Sequence, residues 1–137
     1  MSGGRNLAAL LAGMAPELQP GVYRFVTTAA PSEALRRAAR MVFEEPEGLT
    51  LILREADAEG LEGLSPFRAR MLTLKVHSAL DAVGFLAAVA SELARHGIST
   101  NCVAGFYHDH LFVPADRAED ACDVLQRFAA RHTPGKG

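Results

Sequence analysis

Met71–Val113, MLTLKVHSALDAVGFLAAVASELARHGISTNCVAGFYHDHLFV, is the stretch from which the fold can be read. Met71 to Val76 is rich in large apolar residues and bounded by polar ones, which suits a strand buried on at least one face. His77 and Ser78 end it. From Ala82 the period changes: Val83, Leu86, Val89, Ala90 and Leu93 recur at spacings of three and four, predicting a helix that packs one face on the sheet. Ser78 or Asp81 stands where it could cap the first free amides, and Arg95 and His96 fall at the negative end of the helix dipole. Gly97 is the residue expected just past the last turn. Ile98 to Phe106 then reads as a second strand, Tyr107-His108-Asp109 as a reversal, and Leu111 to Val113 as the returning strand.

Two segments of this stretch carry a family likeness: Asp81-x-x-Gly84 with the apolar helix after it, and Leu93-Ala94-x-x-Gly97-Ile98-Ser99-Thr100-Asn101. They resemble the ACT domain, a small ligand-sensing module found on many amino-acid-metabolic enzymes. In that family a proline is usual before the glycine, and Val83 stands in its place here. The whole chain is similar to a small stand-alone bacterial ACT family of two tandem, unequal repeats.

Upstream, the same order of elements recurs in shortened form. Pro16, Pro20 and Gly21 read as a linker, and Val22 to Thr28 as a strand of aromatic and β-branched residues. Pro31-Ser32 starts a short helical turn carrying Leu35, Arg36 and Arg37. Met41 to Glu45 and Leu49 to Leu53 are two strands joined by the turn Pro46-Glu47-Gly48. Glu55 to Leu61 reads as a helix, and Gly60, Gly63, Ser65 and Pro66 as the junction to the second unit. The last helix has Asp116 as its expected cap, Ala118, Ala121, Cys122, Leu125, Phe128 and Ala129 as its buried face, and Arg127 and Arg131 near its end. The expected organisation is an N-terminal helix and linker over 1–20, an abbreviated repeat over 21–66, a complete repeat over 67–132 and a tail over 133–137. The fold class that follows is α+β, ferredoxin-like βαββαβ, with two tandem ACT-like units whose antiparallel sheets are covered by helices.

Composition narrows the function. The chain has 137 residues, half of them apolar, 22% charged, with a formal net charge of −2, so it is neither a disordered polyelectrolyte nor a nucleic-acid-coating protein. Ferredoxin-like RNA modules carry a basic, glycine- and aromatic-rich signature that this sequence lacks. Arg36, Arg37 and Arg40 form a local basic cluster, read as the solvated face of a short helix. No apolar run approaches the ~20 residues that span a bilayer. Cys102 and Cys122 read as buried reduced thiols, which points to the cytoplasm. The apolar run Leu7–Ala15 after Arg5 has the outline of a short signal peptide, and a short amphipathic helix is the preferred reading.

The candidate site is the loop from His77 to Gly84 together with Asn101 and Cys102. A helix N-terminus offers amides to a carboxylate, Gly84 leaves room for a ligand or a neighbouring chain, and Asp81 could accept an ammonium group. The ACT resemblance implies an effector site at this loop, at the interface with a second repeat or subunit, and carries that role to Asp81, Gly84 and Asn101. His77, Ser78, Leu80, Val83 and Cys102 join by adjacency. Each has a plainer reading: Asp81 as a helix cap, Gly84 as a packing glycine, Asn101 as a strand end, Cys102 as a small buried apolar group. Thr27 and Thr28 hold positions in the first repeat like those of Val76 and His77 in the second, so the sequence does not say which repeat carries the ligand.

The expected function is a non-enzymatic regulatory protein that binds an amino acid or related metabolite, with no cofactor; the ACT resemblance implies a homodimer by edge pairing, while the tandem repeats could instead satisfy each other within one chain. The alternatives are an ACT-like interaction module with an unidentified protein partner, or a small metal-dependent enzyme using His77, His108 and His110. Nucleophilic catalysis by Cys102 has no phosphate loop or paired carboxylates to support it.

Overall fold

The computed structural model describes residues 3–134; the expected start at Met1 and Ser2, and the tail beyond Pro134, lie outside the described residues. In chain order its elements are α1 (Leu7–Gly13), β1 (Pro16–Leu18), β2 (Tyr23–Thr28), α2 (Glu33–Ala38), β3 (Met41–Glu45), β4 (Gly48–Arg54) and α3 (Glu55–Ala58). There follow β5 (Leu64–Leu74), α4 (Phe85–Arg95), β6 (Asn101–Ala104), β7 (Asp109–Pro114) and α5 (Ala118–Arg131). They form two units, one of residues 20–70 and the other of 1–19 with 71–137.

The unit of residues 20–70 is built on a hairpin. Met41 pairs Ile52 and Glu45 pairs Gly48, so the chain reverses through Pro46-Glu47. Tyr23 pairs Arg54 and Thr28 pairs Leu49, which lays β2 along the other side of β4. The first part of β5 pairs β2 with a register shift between Arg24 and Val26, giving the order β3-β4-β2-β5. Ser32 starts α2 as its N-cap, with its hydroxyl accepting from Leu35 N–H at 3.1 Å. Val26, Leu51, Leu53 and Ala58 form the core, with Leu35, Ala39, Leu61 and Leu64 against it. Glu55 opens α3 and accepts hydrogen bonds from Arg68 and Arg24, which hold its carboxyl down at about 2 against the opposing effect of burial.

In the other unit β5, α4, β6, β7 and α5 follow the expected order, but the sixth element comes from the start of the chain. Pro16, Glu17 and Leu18, read as linker, form β1 and pair antiparallel with Leu74, Thr73 and Leu72. The order is therefore β1-β5-β7-β6. Leu10, Leu11 and Met14, in and just after α1, enter the same core as Leu72, Leu74, Phe85, Val89, Leu93, Leu111, Val113 and Leu125. Both units thus have ferredoxin-like strand order with helices against the sheet, and the pairs β1–β5, β2–β4, β2–β5, β3–β4 and β6–β7 are all antiparallel.

Several boundaries differ from the sequence reading, for identifiable reasons. β5 stops at Leu74 rather than Val76, and α4 starts at Phe85 rather than Ala82. Val83 is 85% exposed and lies before the helix, while Phe85, Val89 and Leu93 carry the buried face. At the other end Gly97 has φ +70°, and His96 and Ile98 N–H both donate to Leu93 C=O, so the glycine stop is as expected. Ile98 is spent on that closure, which shortens β6 to Asn101–Ala104. α5 follows a 3-10 turn at Ala115–Arg117 and has no side-chain cap, so Asp116 does not cap it.

Candidate functional site

The segment between β5 and α4 is shaped by the start of the chain. Gly4 N–H donates to His77 C=O at 2.8 Å, and Ala79 N–H donates back to Gly4 C=O at 2.8 Å, a short parallel bridge. Gly3 makes this possible: it has φ +92°, and a Cβ there would lie 2.5 Å from Ala79 N. Arg5 then reaches Asp81 at 2.9 Å and holds that carboxyl below its ordinary range. Neither Ser78 nor Asp81 caps α4. The N-cap is Gly84, at φ +90°, with no side-chain hydrogen bond to the first amides.

Beside that uncapped helix start lies a pocket of about 140 Å³, lined by Ser78, Ala79, Leu80, Gly84, Phe85 and Asp109, with Ala82, Leu86, Ala87 and Ala104 completing it. Asp109 is 5% exposed and begins β7, the strand bonded next to β5. Its Oδ2 accepts a hydrogen bond from the buried Ser78 hydroxyl at 2.9 Å, and among the described residues no cation pairs with it. A volume well below the ~300–1,000 Å³ of drug-sized sites suits a metabolite of a few heavy atoms.

Models of the ACT domain match residues 2–68 and residues 67–127. Among solved structures, a Vibrio cholerae protein of unknown function, described as a "possible transport protein", is 43% identical at a TM-score of 0.78, over 90% of this chain and 95% of that one. The Agobacterium tumefaciens protein Atu0741 is 19% identical at a TM-score of 0.61, over 83% and 87%. The ligand-free regulatory subunit of aspartate kinase from Thermus thermophilus is 12% identical at 0.60, over 85% and 97%, a likeness of fold. No curated protein matches the chain.

The chain belongs to the ACT domain family.

Within this ACT protein the residues named from sequence separate into three groups. Ser78, Leu80 and Gly84 line the pocket. Asp81 is turned to Arg5, Val83 is exposed, and His77 packs against Tyr107 and Phe106, with ring centroids 5.4 and 6.3 Å away. Asn101 and Cys102 lie along the β6–β7 hairpin: Asn101 pairs Phe112, whereas Ala104 pairs Asp109, so Asn101 sits about 10 Å of strand from the pocket end. The sequence reading of Cys102 and Cys122 as buried thiols is corrected, since Cys102 is exposed and Cys122 half-buried. Partial burial, offset by a hydrogen bond with Thr100 and reinforced by the Asp109 charge, still pushes the Cys102 thiol up, away from a reactive thiolate.

The structure does not bring His77, His108 and His110 together as a ligand set. Among the described residues no three His, Cys, Asp or Glu side chains come together, and His110 Nδ1 is 3.0 Å from Thr73 Oγ1. Sequence reasoning missed Asp109 because it was read as part of the reversal. The signal was present: its acid closes a turn anchored by Gly105 N–H on His108 C=O, and the strand it opens is otherwise apolar.

Proposed function

We propose that this ACT protein is a non-enzymatic regulatory sensor that binds a small α-amino acid, or a metabolite with the same two charges, at the β5–α4 loop. The observation that carries the reading is Asp109: a buried carboxylate that accepts from the Ser78 hydroxyl, and that among the described residues has no cation beside it, faces the same small pocket as an uncapped helix start. The amides of that start suit a ligand carboxylate, and Asp109 suits its ammonium group. Asp109 takes the part expected of Asp81, which Arg5 occupies.

Asn101 enters through a second copy of the chain. β6 is the last strand of its order, and among the described residues nothing pairs with its outer edge. A two-fold antiparallel pairing of two such edges, centred between Cys102 and Val103, would set the partner copy's Asn101 beside Ala104, which lines the pocket. The protein is thus proposed to act as a homodimer in the cytoplasm, where the exposed Cys102 stays reduced. The same fold is the regulatory subunit of an aspartate kinase in Thermus thermophilus, which supports a regulatory role.

A thermal-shift screen against the proteinogenic amino acids tests this. At about a hundredfold above the dissociation constant, a true ligand stabilises by roughly 2.7 kcal/mol, a shift of several degrees. Asp109→Asn is expected to abolish the shift and Asp81→Asn to leave most of it. Absence of any shift moves the reading to an interaction module, favoured by one further observation: Phe106 and Tyr107, 58% and 63% exposed, form an edge-to-face pair on the surface of the β6–β7 turn.

A further inference from the structure

Residues 3–7 run along the β5–α4 loop and hold it from one end to the other. Gly4 bridges both sides of Ser78, donating its N–H to His77 C=O and accepting from Ala79 N–H, each at 2.8 Å. Arg5 reaches Asp81 at 2.9 Å, and Leu7 lies against Gly84, where an added Cβ would stand 3.7 Å from Leu7 Cδ2. The fit is tightest at Gly3, whose φ is +92°: an added Cβ would lie 2.5, 2.6 and 2.7 Å from Ala79 N, Ser78 C and Ala79 Cα, all backbone atoms.

The same loop builds the pocket. Ser78, Ala79, Leu80 and Gly84 line it, and the Ser78 hydroxyl is the donor that Asp109 accepts. Residues 3–7 are not part of the lining, so they act on a ligand only through the position of the loop. Their hold is light. The Arg5 and Asp81 side chains are 46% and 70% exposed, which leaves two backbone hydrogen bonds as the main tie. Leu10, Leu11 and Met14 anchor the chain just beyond in the core, so the segment can open without unfolding the unit. We propose that residues 3–7 are a strap whose docking sets the ligand affinity of the pocket at Asp109. Docked, it fixes Ser78 and Ala79 in the pocket wall; released, it leaves the loop free and the wall unmade. The inference rests on that pocket being a ligand site. Linkage makes the coupling reciprocal, so a ligand that binds the formed pocket tightens the strap.

The probe is an equimolar mixture of the proteinogenic amino acids, titrated into the full chain while thermal shift and amide hydrogen exchange at Gly4 and Ala79 are followed. In the wild type the mixture is expected to raise Tm and to slow both amides. Gly3→Ala drives a methyl group into the Ala79 backbone. It is expected to speed exchange at Ala79 before any amino acid is added, and to need about tenfold more of the mixture for the same shift. The double variant Arg5→Gln/Leu7→Ala removes the two side-chain contacts and leaves the backbone alone, so it should weaken binding in the same direction by a smaller factor. A Gly3→Ala protein whose Ala79 amide exchanges faster while its thermal response matches the wild type overturns the proposal, because the strap is then only structural. So does an Ala79 amide as slow in that variant as in the wild type, or a wild-type shift with no slowing at Gly4 and Ala79. A wild type with no thermal shift at all refutes the pocket itself, and the strap's role with it.

Discussion

Glu92 shows how a single side chain joins two helices. It lies on the buried face of α4 and accepts from Arg95 at 2.6 Å and from Arg131 of α5 at 2.8 Å. Burial alone would raise its carboxyl, but the two arginines overcome that and hold it below the ordinary 4.5. A depressed carboxyl contributes stability that is fully present above 4.5 and is lost as pH falls through its native value. Glu92→Ala should therefore cost about 1–2 kcal/mol at pH 7, modest because both arginines are exposed enough to return to water, and flatten the acid limb of a stability-against-pH curve. Chemical denaturation of both proteins from pH 3 to pH 7 checks it; parallel curves would remove Glu92 from the acid response.

At the scale of elements, the junction before β5 depends on backbone clearance. Gly60 and Gly63 both have φ +76°, but a Cβ at Gly60 meets nothing within 4 Å, whereas one at Gly63 would lie 2.4 Å from Thr27 C=O. Thr27 N–H also donates to Gly63 C=O at 3.1 Å. Gly60→Ala should cost only the left-handed backbone, about 1–2 kcal/mol. Gly63→Ala should cost more, about 3 kcal/mol or above, because strands β2 and β5 must part; equal midpoints in a urea titration would contradict this. Elements of this kind were legible where periodicity and punctuation agree: the Gly97 stop, the short helix begun at Pro31-Ser32 and the Pro46-Glu47 turn all stand in the structure as the sequence reads. The start of α4 was not legible. The loop before it is held by Gly3, Gly4 and Arg5, from more than seventy residues away, and local patterning carries no information about such a partner. Part of the candidate site went the same way: Asp81 looked like a cap because any acid before a helix does, and Asp109 is joined to Ser78 only by pairing across the sheet.

For the whole molecule, the start of the chain belongs with residues 71–137. Removing residues 1–19 takes away β1 and the core residues Leu10, Leu11 and Met14. The truncated chain should lose the cooperative unfolding of that unit, seen by near-ultraviolet circular dichroism and a hydrogen-exchange collapse confined to residues 71–134. The central claim is a ligand site completed by a second copy, and mixing two silent variants tests it most directly. Asn101→Ala and Asp109→Asn should each fail to bind the amino acid that shifts the wild type, since every homodimer of either lacks one half of both sites. In an equal mixture, refolded together, half the dimers pair the intact Asp109 of one chain with the intact Asn101 of the other. Calorimetric titration should then recover about a quarter of the wild-type binding capacity at wild-type affinity. A mixture as silent as its two components, or an Asn101→Ala protein that binds like the wild type, would contradict the shared site.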